Sequence, residues 1–432
     1  MDDRALVNGV SATCAGAVVE PDPGAANGAA APVRRATVAS RTRPLRVAQI
    51  VTKLTAGAGG ITLRGAAALD PARYRTTILT AGESSLVAAA EQAGLEVIRL
   101  RHMARGRGLY PATDTRGIRE LLDHLRAGDF DVVHTHSAKA GAIGRLAARR
   151  TGARAIVHSF HGFPFHGFQT PVVRRSLLTA ERGLARITDY FLADGTMIAA
   201  EAVRLRLAAP GTIRAIASPV DDGIAAATPE TRRHARALLG LPENATVVGT
   251  AARLSHQKAP LDMVRALARL GRPDVTFAWV GDGELRSATE REIRRAGLEG
   301  RFLLMGERSD VPALLPAFDV FALPSLYEGL PCAVVEAMTS GIPVVATAVN
   351  SVPEIVIAGR TGLLARPRDP SSLAGALGFM LSHPAQAAEM AAAARSHIGS
   401  GFRPEVHAQD LVVAYDLALD LAGRRRQARG AA

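Results

Sequence analysis

Cysteine is nearly absent from this chain. Only Cys14 and Cys332 occur in 432 residues. They are too few and too far apart for a disulfide framework or a thiolate zinc site, so a reducing compartment, the cytoplasm, is expected. Aromatic residues make up 4% and Trp279 is the one tryptophan. With no helix-turn-helix pattern either, the chain lacks a basic-aromatic platform for nucleic acid, and no nucleic-acid partner is expected. No apolar run approaches the roughly 18 residues that span a bilayer, so membrane contact is expected only peripherally, at the inner face. Lysine is scarce as well: of 52 basic residues only Lys53, Lys139 and Lys258 are lysines, and each falls on an expected loop.

What is abundant is arginine, unevenly placed. Residues 1–220 hold 29 Lys+Arg against 17 Asp+Glu, and residues 221–432 hold 23 of each, so the whole surplus of +12 lies in the first half. Arginines crowd at "RLRHMARGR" (99–107) and "RLAARR" (145–150). A basic half points to an anionic partner such as a phospholipid surface or a lipid diphosphate. An arginine-rich codon bias is the bland alternative.

Residues 1–44 begin with acids and lack a charged-then-apolar signal pattern, so a disordered leader is expected. From Leu45 short β-branched runs alternate with longer Ala/Leu/Arg stretches. "LRVAQIV", "YRTTILT", "LEVIRL", "DVVHTH", "ARAIVHSF", "DYFLAD" and "TIRAIA" predict a first strand series. After the break at "ASPVDDGIAAATPE" come "ATVVGTAA", "DVTFAWVGDG", "RFLLMG", "DVFALPS", "IPVVAT" and "TGLLA". Buried strands separated by amphipathic helices imply an α/β protein with two doubly wound parallel sheets. The expected domains are 45–220 and 221–403, then a C-terminal helix over 404–423 and a basic tail over 424–432.

Ligand loops in such sheets lie at the carboxyl ends of strands. "AARLSHQKAPLDMVRAL" leaves a strand and opens a helix, placing Arg253 and Lys258 where a phosphate meets positive charge and free N–H groups. "DVFALPSLYEGLPCAVVEAM" does the same: Glu328 sits at the cleft mouth, the Gly329 and Leu330 amides form the helix entry, Pro331 is expected as the first helical residue, and Glu336 lies further along the helix. Two carboxylates eight positions apart do not share a helix face as neighbours, so different jobs are expected of them. "VGDGELR" alone is a tight turn as often as a ligand loop. "GAGGI" (57–61) lacks the third glycine of a dinucleotide site, Thr62 standing there instead, so a nicotinamide cofactor is disfavoured. "DFD" (129–131) precedes a strand, the wrong end for ligands. The histidines of "HTHSAKAGAIGRLAARRTGARAIVHSFHGFPFH" show no two-His-plus-Glu spacing, so no metal site is expected.

These ordered motifs together, "ARLSHQK", "GDGELR", Glu328 with Glu336, and "GIPVVATAVNSVPEIV", resemble the donor half of the family 4 retaining glycosyltransferases. The resemblance extends from Leu45 to the C-terminus. It implies two facing Rossmann-like domains, the GT-B architecture, with the terminal helix returning to the first domain. It further implies that Arg253 and Lys258 hold a nucleotide diphosphate, Glu328 contacts the donor sugar, Glu336 grips the ribose, and the Gly329 and Leu330 amides bind sugar or phosphate oxygens. His161 resembles the family histidine that approaches the donor sugar. Gly59 and Gly60 match the paired glycines of the first loop, although Ile61 and Thr62 depart from the pattern. The implied activity is metal-independent retaining transfer from a nucleotide sugar, a substrate rather than a cofactor, to an acceptor such as a lipid-linked saccharide in cell-surface polysaccharide synthesis. Two other readings stand beside it: a nucleotide-sugar epimerase of the same architecture, and a basic nucleic-acid-binding protein suggested by the pI near 10.7.

Overall fold

A computed structural model describes residues 43–431 apart from Ala56, 104–110, Phe168 and Asp222. The leader expected over 1–44 lies outside them but for its last two residues. All seven strand stretches predicted in the first half form one parallel sheet: β1 (Leu45–Val51), β2 (Tyr74–Ala81), β3 (Glu96–Leu100), β4 (Val132–His136), β5 (Ala155–Phe160), β6 (Tyr190–Asp194) and β7 (Ile213–Ile216), in the order β3-β2-β1-β4-β5-β6-β7. The six of the second half form another: β8 (Thr246–Ala251), β9 (Val275–Val280), β10 (Phe302–Leu304), β11 (Val320–Leu323), β12 (Val344–Thr347) and β13 (Leu363–Ala365), ordered β10-β9-β8-β11-β12-β13. Every residue of β4, β5, β6, β11 and β12 is buried. That is why these strands read as near-continuous apolar runs rather than alternating ones.

In each sheet the strand order reverses beside the first strand, between β1 and β4 and between β8 and β11. At such a switch point the two outgoing loops turn opposite ways and leave a crevice, the preferred ligand position in an open parallel sheet. The loops carrying Arg253, Lys258 and Glu328 are the ones that leave β8 and β11.

The last helix, Pro404–Gly430, lies against the first sheet, not the second. Its Leu411, Ala414, Tyr415, Ala418 and Ala422, spaced as one helical face, join Val47, Val132, Val157 and Leu192 in a single core. It also runs past residue 423. The segment expected as a solvated tail is helical to Gly430, tied down by Arg425 to the Thr188 carbonyl and Asp189 and by Arg426 to the Arg154 carbonyl.

Candidate active site

The loop after β8 makes a short 3-10 turn, His256–Lys258, and enters the helix Pro260–Leu270 through Ala259, whose φ of 46° is left-handed. The turn is fastened to the loop after β11, since the Leu326 amide donates to the Gln257 carbonyl at 2.7 Å. This brings Lys258 to Glu328: Nζ stands 2.5 Å from Oε1, with side-chain exposures of 16% and 6%. Gln257 Nε2 donates to the Tyr327 carbonyl at 3.1 Å and lies 3.4 Å from Glu328 Oε2. A carboxylate this buried is held by charge and hydrogen bonds together. Arg253, in the same loop, is exposed and makes no ion pair among the described residues. The two cations that look alike in sequence therefore differ: one is committed to a carboxylate, the other is open to an anion. Ser255 Oγ, buried in this turn, has no partner among the described residues.

Pro331 caps the following helix instead of opening it. Its φ and ψ of −74° and 108° are extended, and the helix is Cys332–Ser340. Proline's fixed φ serves either position, and here the turn from Gly329 keeps ψ out of the helical range. Glu336 lies in the second turn, half-buried. Burial lifts its carboxyl above the usual 4.5, with Arg64 opposing the rise and Asp221 adding to it. Burial also pushes the Cys332 thiol up to about 12, so that sulfur stays protonated and is no nucleophile at neutral pH.

From the first sheet, the loop after β5 carries His161 and the end of β6 carries Asp194, with Nδ1 of His161 2.9 Å from Oδ2 of Asp194. Asp194 is 2% exposed, and its Oδ1 has no partner among the described residues. The two halves meet here. A Cβ on Gly329 would fall 2.8 Å from the His161 carbonyl oxygen, so only glycine permits the approach. His166 stacks on Tyr327 at 5.0 Å between centroids. Nearby, Glu354 accepts from the Thr196 and Met197 amides, both at 2.8 Å, capping the helix Thr196–Arg204 across the cleft. Leu330 is buried, its carbonyl accepting from Ser218 Oγ at 3.3 Å.

Gly60 sits inside the helix Ala58–Ala67 with its amide engaged by the Thr55 carbonyl at 3.1 Å. What its missing side chain provides is room: a Cβ would stand 3.1 Å from the Arg64 guanidinium. Arg64, reaching the Pro219 carbonyl at 2.8 Å and Asp221 at 3.3 Å, was not singled out in the sequence, and neither was Asp194. An acid closing a buried strand, as in "FLAD", was the available signal for the second. A single arginine in an arginine-rich chain offered none. "DFD" is structural: Asp131 is buried at the amino end of β4 and accepts from the Arg46 amide at 3.0 Å.

Two parallel sheets, each with a switch point, bring a buried Lys–Glu pair on one side and a His–Asp pair on the other to the place where the two halves meet, and define the molecule as a two-sheet α/β protein. The family profile described as "Glycosyl transferases group 1" matches residues 231–397 and "Glycosyl transferase 4-like domain" matches 56–219. The chain is 30% identical over 379 residues to the 2-deoxystreptamine glucosyltransferase of Streptomyces kanamyceticus, covering 82% of this chain and 96% of that one. It is 33% identical over 242 residues to the UDP-Gal:alpha-D-GlcNAc-diphosphoundecaprenol alpha-1,3-galactosyltransferase of Escherichia coli, covering 55% of this chain and 62% of that enzyme. Anabaena HepE, solved with UDP and glucose, superposes with a TM-score of 0.75 at 21% identity, over 86% of this chain and 99% of the other. The chain belongs to the group 1, family 4-type glycosyltransferases, with the GT-B fold. It is a glycosyltransferase, and the epimerase reading gives way.

Proposed function

We propose that the chain transfers a hexosyl group from a nucleotide sugar, with retention and without a metal, to a lipid-linked saccharide at the inner face of the cytoplasmic membrane. The observation that carries the donor half is the arrangement at the second switch point. Among the described residues Arg253 is exposed with no ion-pair partner and the Ser255 hydroxyl beside it has no hydrogen-bond partner, while Glu328 is held by Lys258 above the Gly329 entry to the next helix. Arg253 binds the diphosphate, Glu328 takes sugar hydroxyls, and Lys258 orients Glu328 and stabilises the phosphate as it departs. Glu336, with Arg64 beside it, is assigned to the ribose, and His161 to the sugar. The anomeric carbon–phosphate oxygen bond breaks while the acceptor oxygen bonds the same face, and the acceptor proton passes to the leaving phosphate oxygen.

For the acceptor, the name of the Escherichia coli relative offers a diphosphoundecaprenol saccharide, and the charge surplus of residues 1–220 suits a diphosphate lipid. The arginine clusters singled out in sequence contribute less than counted. Arg145 is fully buried against Glu181 at 2.7 Å, Arg99 pairs with Glu83 and Glu91, and residues 104–110 lie outside the described residues. The helix Pro171–Ala185 is better suited. It follows the His166 loop at the cleft and exposes Val172 by 77% and Val173 by 45%, next to exposed Arg174 and Arg175. The Streptomyces relative's name favours a second reading, a small aminocyclitol acceptor. The test is a radiolabelled-donor assay pairing UDP-hexoses with a polyprenyl-diphosphate saccharide and with 2-deoxystreptamine. Label in the lipid fraction supports the proposal, and label only in the aminocyclitol overturns it.

A further inference from the structure

The helix Thr196–Arg204 begins without a cap of its own. Its N-cap is Gly195, which has no side chain to accept from the first amides, whereas Ser, Thr, Asn or Asp is the usual choice there. The second half of the molecule supplies what is missing. Glu354 Oε2 accepts from the Thr196 amide and Oε1 from the Met197 amide, both at 2.8 Å. A side chain at position 195 is shut out by the same neighbour: its Cβ would stand 2.3 Å from Ser351 Oγ and 3.0 Å from Glu354 Oε1, and the φ of 96° itself favours glycine. Ser351 is fully buried at this contact, and its hydroxyl has no hydrogen-bond partner among the described residues. A carboxylate at a helix N-terminus is attracted both by the amides and by the helix dipole. Here that attraction acts only while the two halves are together.

The contact adjoins the site on both sides. Asp194, whose Oδ2 lies 2.9 Å from His161 Nδ1, immediately precedes Gly195. At the other end of the capping segment, Asn350 Oδ1 accepts from the Glu328 amide at 3.0 Å. Asn350 does so from a left-handed backbone, φ 43°, which asparagine tolerates. Residues 350–354, which follow β12 and open the short helix Val352–Ile355, therefore hold backbone groups at Glu328 in the second half and just beyond Asp194 in the first. His397 Nε2 donates to the Glu354 carbonyl at 3.2 Å and ties the segment to the helix Pro384–Ile398 of its own half.

We propose that Glu354 is a positioning residue, the cap by which the donor-binding half sets the His161–Asp194 edge of the first half in register with the donor. The inference rests on the reading of His161 as donor-facing. The role requires no contact between Glu354 and the donor. With the cap lost, the second half still holds the nucleotide, but the strand end that carries Asp194 and orients His161 is no longer fixed relative to Glu328. Such a misplacement weighs on the chemical step more than on binding.

Amide hydrogen exchange of the full chain tests the contact without any donor, so its outcome is separate from that of the transfer assay. Thr196 and Met197 are exposed residues, yet in the parent their amides exchange slowly. Glu354→Gln keeps the size of the side chain but turns an NH2 donor toward one of the two amides, and protection falls by about tenfold or more. In the transfer assay kcat per folded molecule falls by about tenfold in Glu354→Gln while the donor KM stays within about threefold. In a His161→Ala background the same substitution changes kcat by less than about twofold, because the two residues act through one another. Fast exchange of both amides in the parent, protection unchanged in Glu354→Gln, or a kcat loss undiminished in the His161→Ala background overturns the proposal. A cap that only stabilises the fold would lower the melting temperature and leave kcat per folded molecule as it is, which also overturns it. If His161→Ala alone leaves kcat unchanged, the reading of His161 fails and takes the proposal with it, a result distinct from the others.

Discussion

Lys258 and Arg253 share one loop but not one task, so truncating each leaves a different signature. Lys258→Ala strands the Glu328 carboxylate in a site where its side chain is 6% exposed. Removing one partner of a buried pair costs about 3 kcal/mol or more, and the thermal midpoint of the unliganded protein should drop accordingly. Arg253→Ala removes an exposed cation with no partner among the described residues, so stability should stay within about 0.5 kcal/mol. Its turnover should nonetheless fall by about two to three orders of magnitude, the scale of losing one preorganised charge stabiliser. Calorimetry and steady-state kinetics on both variants check this. Equal melting temperatures would mean that the Lys258–Glu328 pair does not form in solution. The sequence marked both cations because each falls between the end of a strand and the start of a helix, yet it did not separate them. The partner of Lys258 is 70 residues away, beyond the reach of any local pattern.

Among the elements, the strands and the loops that leave them were legible, because burial on both faces writes itself as short apolar runs and ligand loops follow their carboxyl ends. The approach of the two halves was not. It depends on Gly329, and on Gly195, where φ is 96° and a Cβ would lie 2.3 Å from Ser351 Oγ. Gly329→Ala should leave each sheet folded but hold the cleft open, and small-angle scattering should report a larger radius of gyration with kcat/KM reduced. An unchanged radius would assign the glycine a purely local role. The contact between Gln49 and Tyr415 was equally hidden, since the two are separated by 366 positions, and apart from His161 the histidines of the stretch 134–166 showed in sequence only the lack of a two-His-plus-Glu spacing. Their burial carries its own consequence. His134, His136, His158 and His407 are all pushed below 6.5. As pH falls through 6.5 the unfolded chain takes up protons that the folded one refuses, so stability is greatest above that pH and declines below it. Each histidine contributes up to about 1.4 kcal/mol per pH unit. Urea melts at pH 7.5, 6.5 and 5.5 should show the decline on the acid side. A flat profile would contradict the neutral, buried state assigned to this cluster.

For the whole molecule, the distribution of charge and the last helix set the remaining expectations. The helix Pro404–Gly430 completes the core of the first sheet, so the fold of the first half depends on the far end of the chain. Among the described residues no helix is long and apolar enough to cross a membrane. The proposed lipid acceptor therefore calls for a surface contact, for which Val172, Val173, Arg174 and Arg175 are suited. Each basic residue near an anionic bilayer contributes about 1 kcal/mol, and salt weakens it. Sedimentation with anionic vesicles should exceed that with neutral ones, fade at high salt, and diminish in a Val172→Ser, Val173→Ser variant; indifference to lipid charge and to salt would remove the membrane from the account. The central claim is retaining transfer from a nucleotide sugar in the cleft between β8, β11 and the His161 loop. It is tested most directly by the anomeric configuration of the product, read from the proton coupling constant of the new glycosidic bond. The account predicts an α-linked product from an α-linked nucleotide hexose, formed in the presence of EDTA. A β-linked product, or transfer that stops in chelator and returns with magnesium or manganese, would contradict it.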